Sequence, residues 1–377
     1  MPVSAFILAG EASGDRLAAQ LMVAAKEVFP GIRWFGIGGT KMQKAGLFPL
    51  GDMDSLSIIG FGEALASFRT LSKLADRLIA DILARKPEYV FTIDSKGFSL
   101  RFVKRLRTAL AGKAYQPKLI HMVAPTVWAW GAWRAKKFGQ YFNHIFCLFP
   151  FEPAYFSDLP VEAVFVGHPD SDGQCRPFPD KKGGEHILLL PGSRAAEIAR
   201  HLPVMLEAAF QLMQKNPSIR FSLPLLPHLH DQAAEILEKS ETGQVIVLNA
   251  LPASQAFKEA HFMIACSGTV TLEAAIAGVP GLVIYHLSLA NRIFAKWFYK
   301  PATPVLPDII LGSHFYPFLL PPHLRAENIT ALTEQGLGDI ENRNKEGKKM
   351  SEQLKSVLSP DGKKFAERLK IALQTLS

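Results

Sequence analysis

The chain has 377 residues, 48% of them hydrophobic, with 42 basic and 34 acidic side chains and a net charge of +8. That length exceeds what one hydrophobic core serves and predicts two domains, while the basic excess favours an anionic partner: nucleic acid, anionic lipid or a phosphorylated metabolite. No arginine-rich arm, zinc-finger spacing or RNP-type aromatic strand is present, which makes nucleic acid the weakest of the three, and three scattered cysteines without a CxxC pair argue against a disulfide framework and structural zinc.

SAFILAG (4–10) reads as a buried strand, and residues 15–29 as a helix with Leu17, Leu21, Val23 and Ala24 apolar, stopped by Pro30. The apolar run 3–10 is too short for a signal peptide, lacks a basic region before it and meets Glu11 at once. No run approaches the ~20 apolar residues of a membrane span, so the expected location is the cytoplasm. RWFGIGG, YVFTID, KLIHMV, HIFCLF and EAVFVG follow as strands separated by helices or loops. Cys147 and, further on, Cys266 lie within such apolar runs and read as core residues. Near-continuous apolar strands imply burial on both faces, as in a parallel sheet flanked by helices.

His168-Pro169 ends this series, and 170–185, rich in Gly, Pro, Asp and Lys, reads as a linker. HILLLPGS, RFSLPLLP, QVIVLNA, HFMIACSG and PGLVIYH then form a second series. The expected architecture is α/β, with two Rossmann-like doubly wound domains facing a cleft: 1–169, 170–340, and a helical tail at 341–377. The tail falls within two helical stretches, 326–354 (broken near Gly336) and 362–376. These helices fit either a crossing back over both halves or a plain basic surface.

Ligands of parallel α/β sheets bind beyond the carboxyl ends of the strands, where helix N-termini hold phosphate. Gly36-Ile37-Gly38-Gly39 lacks the third glycine of a dinucleotide fingerprint, and no GxxxxGK[ST] occurs. Three other loops qualify. Ala9-Gly10-Glu11-Ala12-Ser13-Gly14-Asp15 offers small residues and, in Glu11, an acceptor for a sugar hydroxyl; an ordinary strand-to-helix turn explains it equally. In Pro191-Gly192-Ser193-Arg194, Ser193 can cap the next helix and Arg194 can neutralise phosphate. Ser267-Gly268-Thr269 opens a helix whose N–H dipoles suit a diphosphate, and Glu273, one turn in, can accept from ribose hydroxyls; a capped helix with a solvated glutamate is the plain alternative. The second half is therefore expected to bind the nucleotide.

LAGEASGD (8–15), FGIGGTKMQKAG (35–46), APTVWAW (124–130), FPFE (149–152), FVGHP (165–169), LLPGSRAAEI (189–198) and SGTVTLEAA (267–275), in this order, resemble the lipid-A-disaccharide synthases, which are GT-B glycosyltransferases. The resemblance spans residues 8 to about 320. It implies inverting transfer of 2,3-diacylglucosamine from UDP-2,3-diacylglucosamine to 2,3-diacylglucosamine 1-phosphate, giving a β-1′,6-linked disaccharide and UDP. No metal or other cofactor is implied; Asp52-Met53-Asp54 has Asp-x-Asp spacing but lies in the first half. Asp94, at the end of YVFTID, is the implied base for the acceptor hydroxyl. Capping of the next helix is the alternative role for Asp94, and His168 and Glu11 are fallback bases, with His168 otherwise ordering the hinge between domains. Arg134, after Trp128, Trp130 and Trp133, can hold the acceptor phosphate, and Ser13 joins Glu11 in the first loop. Acylated substrates imply peripheral contact with the inner membrane, through the apolar segment 56–65 unless that is an internal helix, by a monomer or homodimer.

The chain departs from the family pattern in three places. Asp94 is followed by Ser95-Lys96-Gly97-Phe98, where a small residue and Pro-Asp-Phe are usual. Leu306-Pro307-Asp308 replaces Leu-Pro-Asn, and Pro317-Phe318-Leu319-Leu320-Pro321 replaces Pro-Glu-Leu-Leu-Gln. Two other readings therefore stand beside the synthase: another UDP-hexosamine enzyme on the same architecture, and a non-catalytic nucleotide-sugar or lipid-binding protein.

Overall fold

The computed structural model describes residues 2–53, 56, 64–128, 133–179, 184–241, 246–249, 253–286 and 303–376, the side chains of 64–69 excepted. The chain divides into two units, Met1–Pro169 with Asp361–Ser377, and Asp170–Pro360.

In the first unit the elements run β1 (Ser4–Ala9), α1 (Ala12–Val28), β2 (Arg33–Ile37), α2 (Thr40–Ala45), β3 (Leu47–Gly51), α3 (Ala64–Arg85), β4 (Tyr89–Ile93), α4 (Lys96–Leu110), β5 (Lys118–Met122), α5 (Trp133–Gly139), β6 (His144–Cys147) and β7 (Glu162–Phe165). The strands form one parallel sheet in the order β3-β2-β1-β4-β5-β6-β7. In β1 the side chains alternate between two cores: Ala5, Ile7 and Ala9 join the one that holds α1, while Phe6 and Leu8 join the one that holds α4. Both faces are covered, which is why the strand reads as an unbroken apolar run. A fully buried Phe or Leu contributes about 1.5–3 kcal/mol.

In the second unit β8 (His186–Leu190), α6 (Ala195–Lys215), β9 (Arg220–Pro224), α7 (His230–Glu238), β10 (Ile246–Asn249), α8 (Ala253–Ala256), β11 (Phe262–Cys266), α9 (Thr269–Ile276), β12 (Gly281–Ile284), α10 (Leu306–Leu311), β13 (Phe318–Leu319), α11 (Ala326–Gly338) and α12 (Ile340–Leu358) follow in turn. Their sheet is again parallel, in the order β10-β9-β8-β11-β12-β13.

The segment expected as one tail is divided. On α12 the Ser351 hydroxyl donates to the Ile276 carbonyl of α9 at 2.5 Å, within the second unit. The last helix, α13 (Phe365–Gln374), returns to the first unit. There Phe365, Leu369, Ala372, Leu373 and Leu376 join the α1 core, and the Tyr89 hydroxyl donates to the Leu376 carbonyl at 3.2 Å. The break expected near Gly336 falls at Asp339, before α12. No helix among the described residues is long and apolar enough to cross a membrane. Of the apolar segment 56–65, Leu56 is buried in the α4-side core, residues 57–63 lie outside the described residues, and 64–65 open α3.

Candidate active site

Each sheet has one topological switch point, where neighbouring strands send their connections to opposite sides and a crevice opens at their carboxyl ends. In the first unit it lies between β1 and β4, which run in register from Ala5↔Tyr89 to Ala9↔Ile93. The loops leaving them are Gly10-Glu11 and Asp94-Ser95, and they touch: a Cβ on Gly10 would lie 2.8 Å from Ser95 Oγ. Glu11 and Ser13 are exposed there. Glu11 is the N-cap residue of α1, but its side chain makes no capping bond.

The helix α1 starts at Ala12, one turn earlier than expected, so Asp15 lies within its first turn. Its buried carboxylate accepts from the backbone N–H groups of Lys41 (3.1 Å) and Met42 (3.0 Å) at the start of α2. The motifs 8–15 and 35–46 are thus physically joined, and Gly39 is small because a Cβ there would lie 2.7 Å from Asp15 Oδ2.

Asp94 and Ser95 both adopt positive φ (48° and 43°), as does Val123 (79°) at the end of β5. Such backbone is uncommon outside glycine, and for a β-branched residue it is a genuine outlier; strain of this kind clusters at functional edges. The turn is held by Asp94 N–H donating to the Met122 carbonyl (2.9 Å) and by Ser99 Oγ donating to the Asp94 carbonyl (2.9 Å). Ser95, not Asp94, takes the cap position of α4. The Asp94 carboxylate instead faces Lys96 Nζ at 3.8 Å, with both side chains a little over a quarter exposed.

Alongside, Glu152 of the FPFE motif is buried. Its Oε2 accepts from the N–H groups of Leu148 (3.0 Å) and Phe149 (3.1 Å), and its Oε1 from Trp128 Nε1 (3.3 Å). Burial pushes its carboxyl up to about 7, against the pull of these donors and of Lys96. Arg134, in the first turn of α5, is half-buried, donates to the Thr126 carbonyl (3.2 Å), and has its pKa lowered by desolvation. His168 is buried with its ring stacked on Phe149, centroids 5.6 Å apart. Trp130 and Asp54 lie outside the described residues.

The second unit switches between β8 and β11, paired through Leu189↔Ile264 and Leu190↔Ala265. The loops leaving these strands are Pro191–Arg194 and Ser267-Gly268. Ser193 does not cap α6 as expected. Gly192 turns through φ +127°, the cap position moves to Arg194, and the Glu197 carboxylate reaches back to accept from Ser193 N–H at 3.0 Å. Arg194 Nη1 donates to Glu197 Oε1 at 3.1 Å, but its side chain is 70% exposed. So open an ion pair restrains it by at most about 1 kcal/mol.

At the other loop the Ser267 hydroxyl donates to the Pro304 carbonyl (2.8 Å), which leaves only its lone pairs for a ligand. Gly268 is the N-cap residue of α9, so no side chain covers the first N–H groups of the helix. Its backbone is fully extended (φ 171°), a conformation open to any residue, and a Cβ there would meet no described atom within 4 Å. Thr269 is exposed beside it, and Glu273 is half-buried one turn along α9.

Asp15, Glu152 and Glu197 were not singled out from the sequence, although each lies inside a motif that was. What they share is visible only in the fold: each carboxylate accepts from backbone N–H groups of a turn or helix start. Asp308, at the Asn-to-Asp departure, is also such a staple. It is buried, its Oδ1 accepts from Phe315 N–H at 3.0 Å, and its Oδ2 lies 3.8 Å from His314 Nδ1.

Comparison with known proteins agrees with this arrangement. The family profile described as lipid-A-disaccharide synthetase matches residues 5–373. Among curated relatives, a lipid-A-disaccharide synthase of Ruegeria pomeroyi is 34% identical over 343 residues, covering 86% of this chain and 84% of its own. Another, of Gluconobacter oxydans, is 31% identical over 366 residues, covering 95% and 87%. Among solved structures, UDP-GlcNAc 2-epimerase from Neisseria meningitidis bound to UDP-GlcNAc superposes with a TM-score of 0.62 at 14% identity, over 99% of this chain and 98% of the other. The Methanocaldococcus jannaschii UDP-GlcNAc 2-epimerase, in complex with UDP-GlcNAc and UDP, gives 0.58 at 13%, over 94% and 99%. At such identities these structures speak for the fold alone, the GT-B architecture of two Rossmann-like sheets. The near-complete profile match and relatives above 30% identity settle the family: the chain belongs to the lipid-A-disaccharide synthetases.

Proposed function

We propose that the chain transfers 2,3-diacylglucosamine from UDP to the 6-hydroxyl of 2,3-diacylglucosamine 1-phosphate, with inversion at the anomeric carbon. The acceptor O6 forms its bond to C1 as the bond from C1 to the diphosphate oxygen breaks. The hydroxyl proton passes to Asp94, and the bonding pair leaves with UDP. Charge growing on the leaving diphosphate would be met by the uncovered N-terminus of α9 at Gly268-Thr269 and by the loosely held Arg194, with Ser193 beside it. Glu273 would take the ribose hydroxyls, and Ser267 can only accept there. On the acceptor side Glu11 and Ser13 suit sugar hydroxyls, and Arg134 the 1-phosphate. The acyl chains of both substrates call for a peripheral encounter with the inner-membrane surface from the cytoplasm.

The observation that carries this reading is the coincidence of two independent facts. Three of the family motifs, 8–15, 189–198 and 267–275, carry loops at the two switch points, and the Asp94-Ser95 turn that faces the first of them has two consecutive non-glycine residues at positive φ.

The test is to incubate the protein with UDP-2,3-diacylglucosamine and 2,3-diacylglucosamine 1-phosphate and to measure UDP and disaccharide. Product from acylated but not deacylated sugars is expected. Asp94→Asn should lower kcat by at least ~100-fold, the usual worth of a positioned proton acceptor, with UDP affinity unchanged. Near-normal turnover of Asp94→Asn would remove it as the base, and tight UDP binding without product would favour a non-catalytic protein.

A further inference from the structure

On α6, two turns beyond the Pro191–Arg194 loop, His201 is almost completely buried (1% exposed), and both of its ring nitrogens are engaged by backbone. Its Nδ1 is 2.9 Å from the Pro191 carbonyl oxygen, and its Nε2 is 2.9 Å from the backbone nitrogen of His286. A carbonyl can only accept and a backbone N–H can only donate, so the imidazole is fixed as the neutral tautomer with hydrogen on Nδ1. Its surroundings agree: desolvation is the main cause lowering its pKa, helped by His286 and Arg200 and opposed by the Pro191 bond and Glu197. The Tyr285 ring lies alongside, centroids 5.7 Å apart.

The two backbone partners belong to different strand ends. Pro191 follows β8 and His286 follows β12, and between these strands in the sheet lies β11. The ring therefore reaches from one neighbour of β11 to the other, past the strand end that leads into Ser267-Gly268. The Ser267 N–H in turn donates to the Ile284 carbonyl of β12 at 3.0 Å. The three strand ends are thus tied by side chain and backbone together.

We infer that His201 is a positioning residue that sets the spacing between the Pro191–Arg194 loop and the Ser267-Gly268 turn, and with it the grip of the second unit on a nucleoside diphosphate. This rests on the donor reading above. Each ring bond has its own mimic: His201→Asn can keep the donor to Pro191, His201→Gln the acceptor for His286, and His201→Leu neither.

The experiment measures UDP affinity by calorimetry and KM for each substrate on the full chain, with circular dichroism and thermal melts as controls for folding. His201→Leu is expected to weaken UDP and raise donor KM by at least tenfold while acceptor KM stays within about twofold; His201→Asn and His201→Gln should fall between. A folded His201→Leu with wild-type UDP affinity overturns the inference, as does an equal rise in both KM values. If His201→Leu does not fold, the same criteria apply to the other two variants. Independently, the ring 15N shifts of the wild-type protein are expected to report hydrogen on Nδ1 at neutral pH, and an Nε2–H tautomer or an imidazolium would also overturn it. If the wild-type protein itself fails to bind UDP, the donor reading fails while the ring shifts still test the clamp.

Discussion

Gly268→Ala separates what the fold asks of this position from what a ligand asks. Two small effects on stability oppose each other. Alanine restricts the unfolded chain, worth about 0.4–1 kcal/mol in favour of folding, and it is a poorer N-cap than glycine by roughly 0.5–1 kcal/mol. The extended backbone accepts a side chain, and no described atom stands within 4 Å of the added methyl group. The net change should stay within about 1 kcal/mol, a Tm shift of only ~2–4 °C for a unit of this size. Binding should respond differently. A diphosphate oxygen hydrogen-bonded to the first N–H groups of α9 lies about 2.9 Å from them, and a methyl group on the N-cap residue crowds that approach. Loss of one hydrogen bond to a charged partner costs about 1.5–3 kcal/mol, or at least tenfold in affinity. Calorimetric titration of UDP into Gly268→Ala should therefore give a Kd raised at least ~10-fold beside an almost unmoved melting curve. A Kd within twofold of wild type would mean that the diphosphate does not rest on this helix start. A Tm lowered by 10 °C or more would mean that the glycine serves the fold.

Two further outcomes concern buried titratable groups. His121 is fully buried on β5, bonded to Thr92 Oγ1 (2.8 Å), and desolvation pushes it down to about 3. Below pH 6.5 the unfolded chain takes up a proton at this site that the folded one refuses, so its contribution is complete above 6.5 and shrinks as pH falls toward 3. At pH 5 the loss is about 2 kcal/mol, so urea unfolding at pH 7.5 and 5.0 should show a difference smaller by about that amount in His121→Leu; an unchanged pH dependence would contradict the assignment. Asp308 has the opposite sign. Burial raises its carboxyl, the folded state holds the proton to higher pH than the unfolded state, and stability falls as pH rises above 3.8. Asp308→Asn keeps an acceptor for Phe315 N–H without the buried charge, so its melting temperature should gain on wild type between pH 4 and 8; a constant offset would refute this.

The sequence disclosed the elements whose chemistry is local. Strand β1 reads as apolar because both of its faces are covered, and the switch-point loops stand out because small residues follow such strands directly. Strand β3 did not stand out. It carries Pro49 and an exposed Phe48, marks of an edge strand with one neighbour, and its place beside β2 is set by register rather than by composition. The two-residue β13 offers no pattern at all. Side-chain roles were harder still. Ser193 has the chemistry of a cap, yet the turn at Gly192 starts the helix one residue later, puts Arg194 at the cap position and leaves the Glu197 carboxylate to accept from the Ser193 N–H. Ser267 has a hydroxyl suited to a phosphate, but its hydrogen is spent on Pro304, 37 residues away. Asp15 and Glu152 owe their importance to backbone N–H groups that reach them only after folding, and no spacing rule announces that.

The departures from the family pattern look different once their neighbours are known. Lys96 stands where a proline is usual, yet its ammonium rests 3.8 Å from the Asp94 carboxylate and adds a positive charge at the turn where the proposed base sits. Both side chains are partly exposed, so this open ion pair restrains the carboxylate by at most about 1 kcal/mol and does not by itself argue for a silent site. Asp308 is committed to the 308–315 turn, and Phe318 pairs with Val283 at the sheet edge. Both substitutions are thereby absorbed by packing within the second unit. Gly97, in the same run as Lys96, is exposed, and a Cβ added there would meet only Arg101 Nη2, at 3.8 Å. The lost carboxylate at that position would have stood on the first turn of α4, beside the strained Asp94 turn.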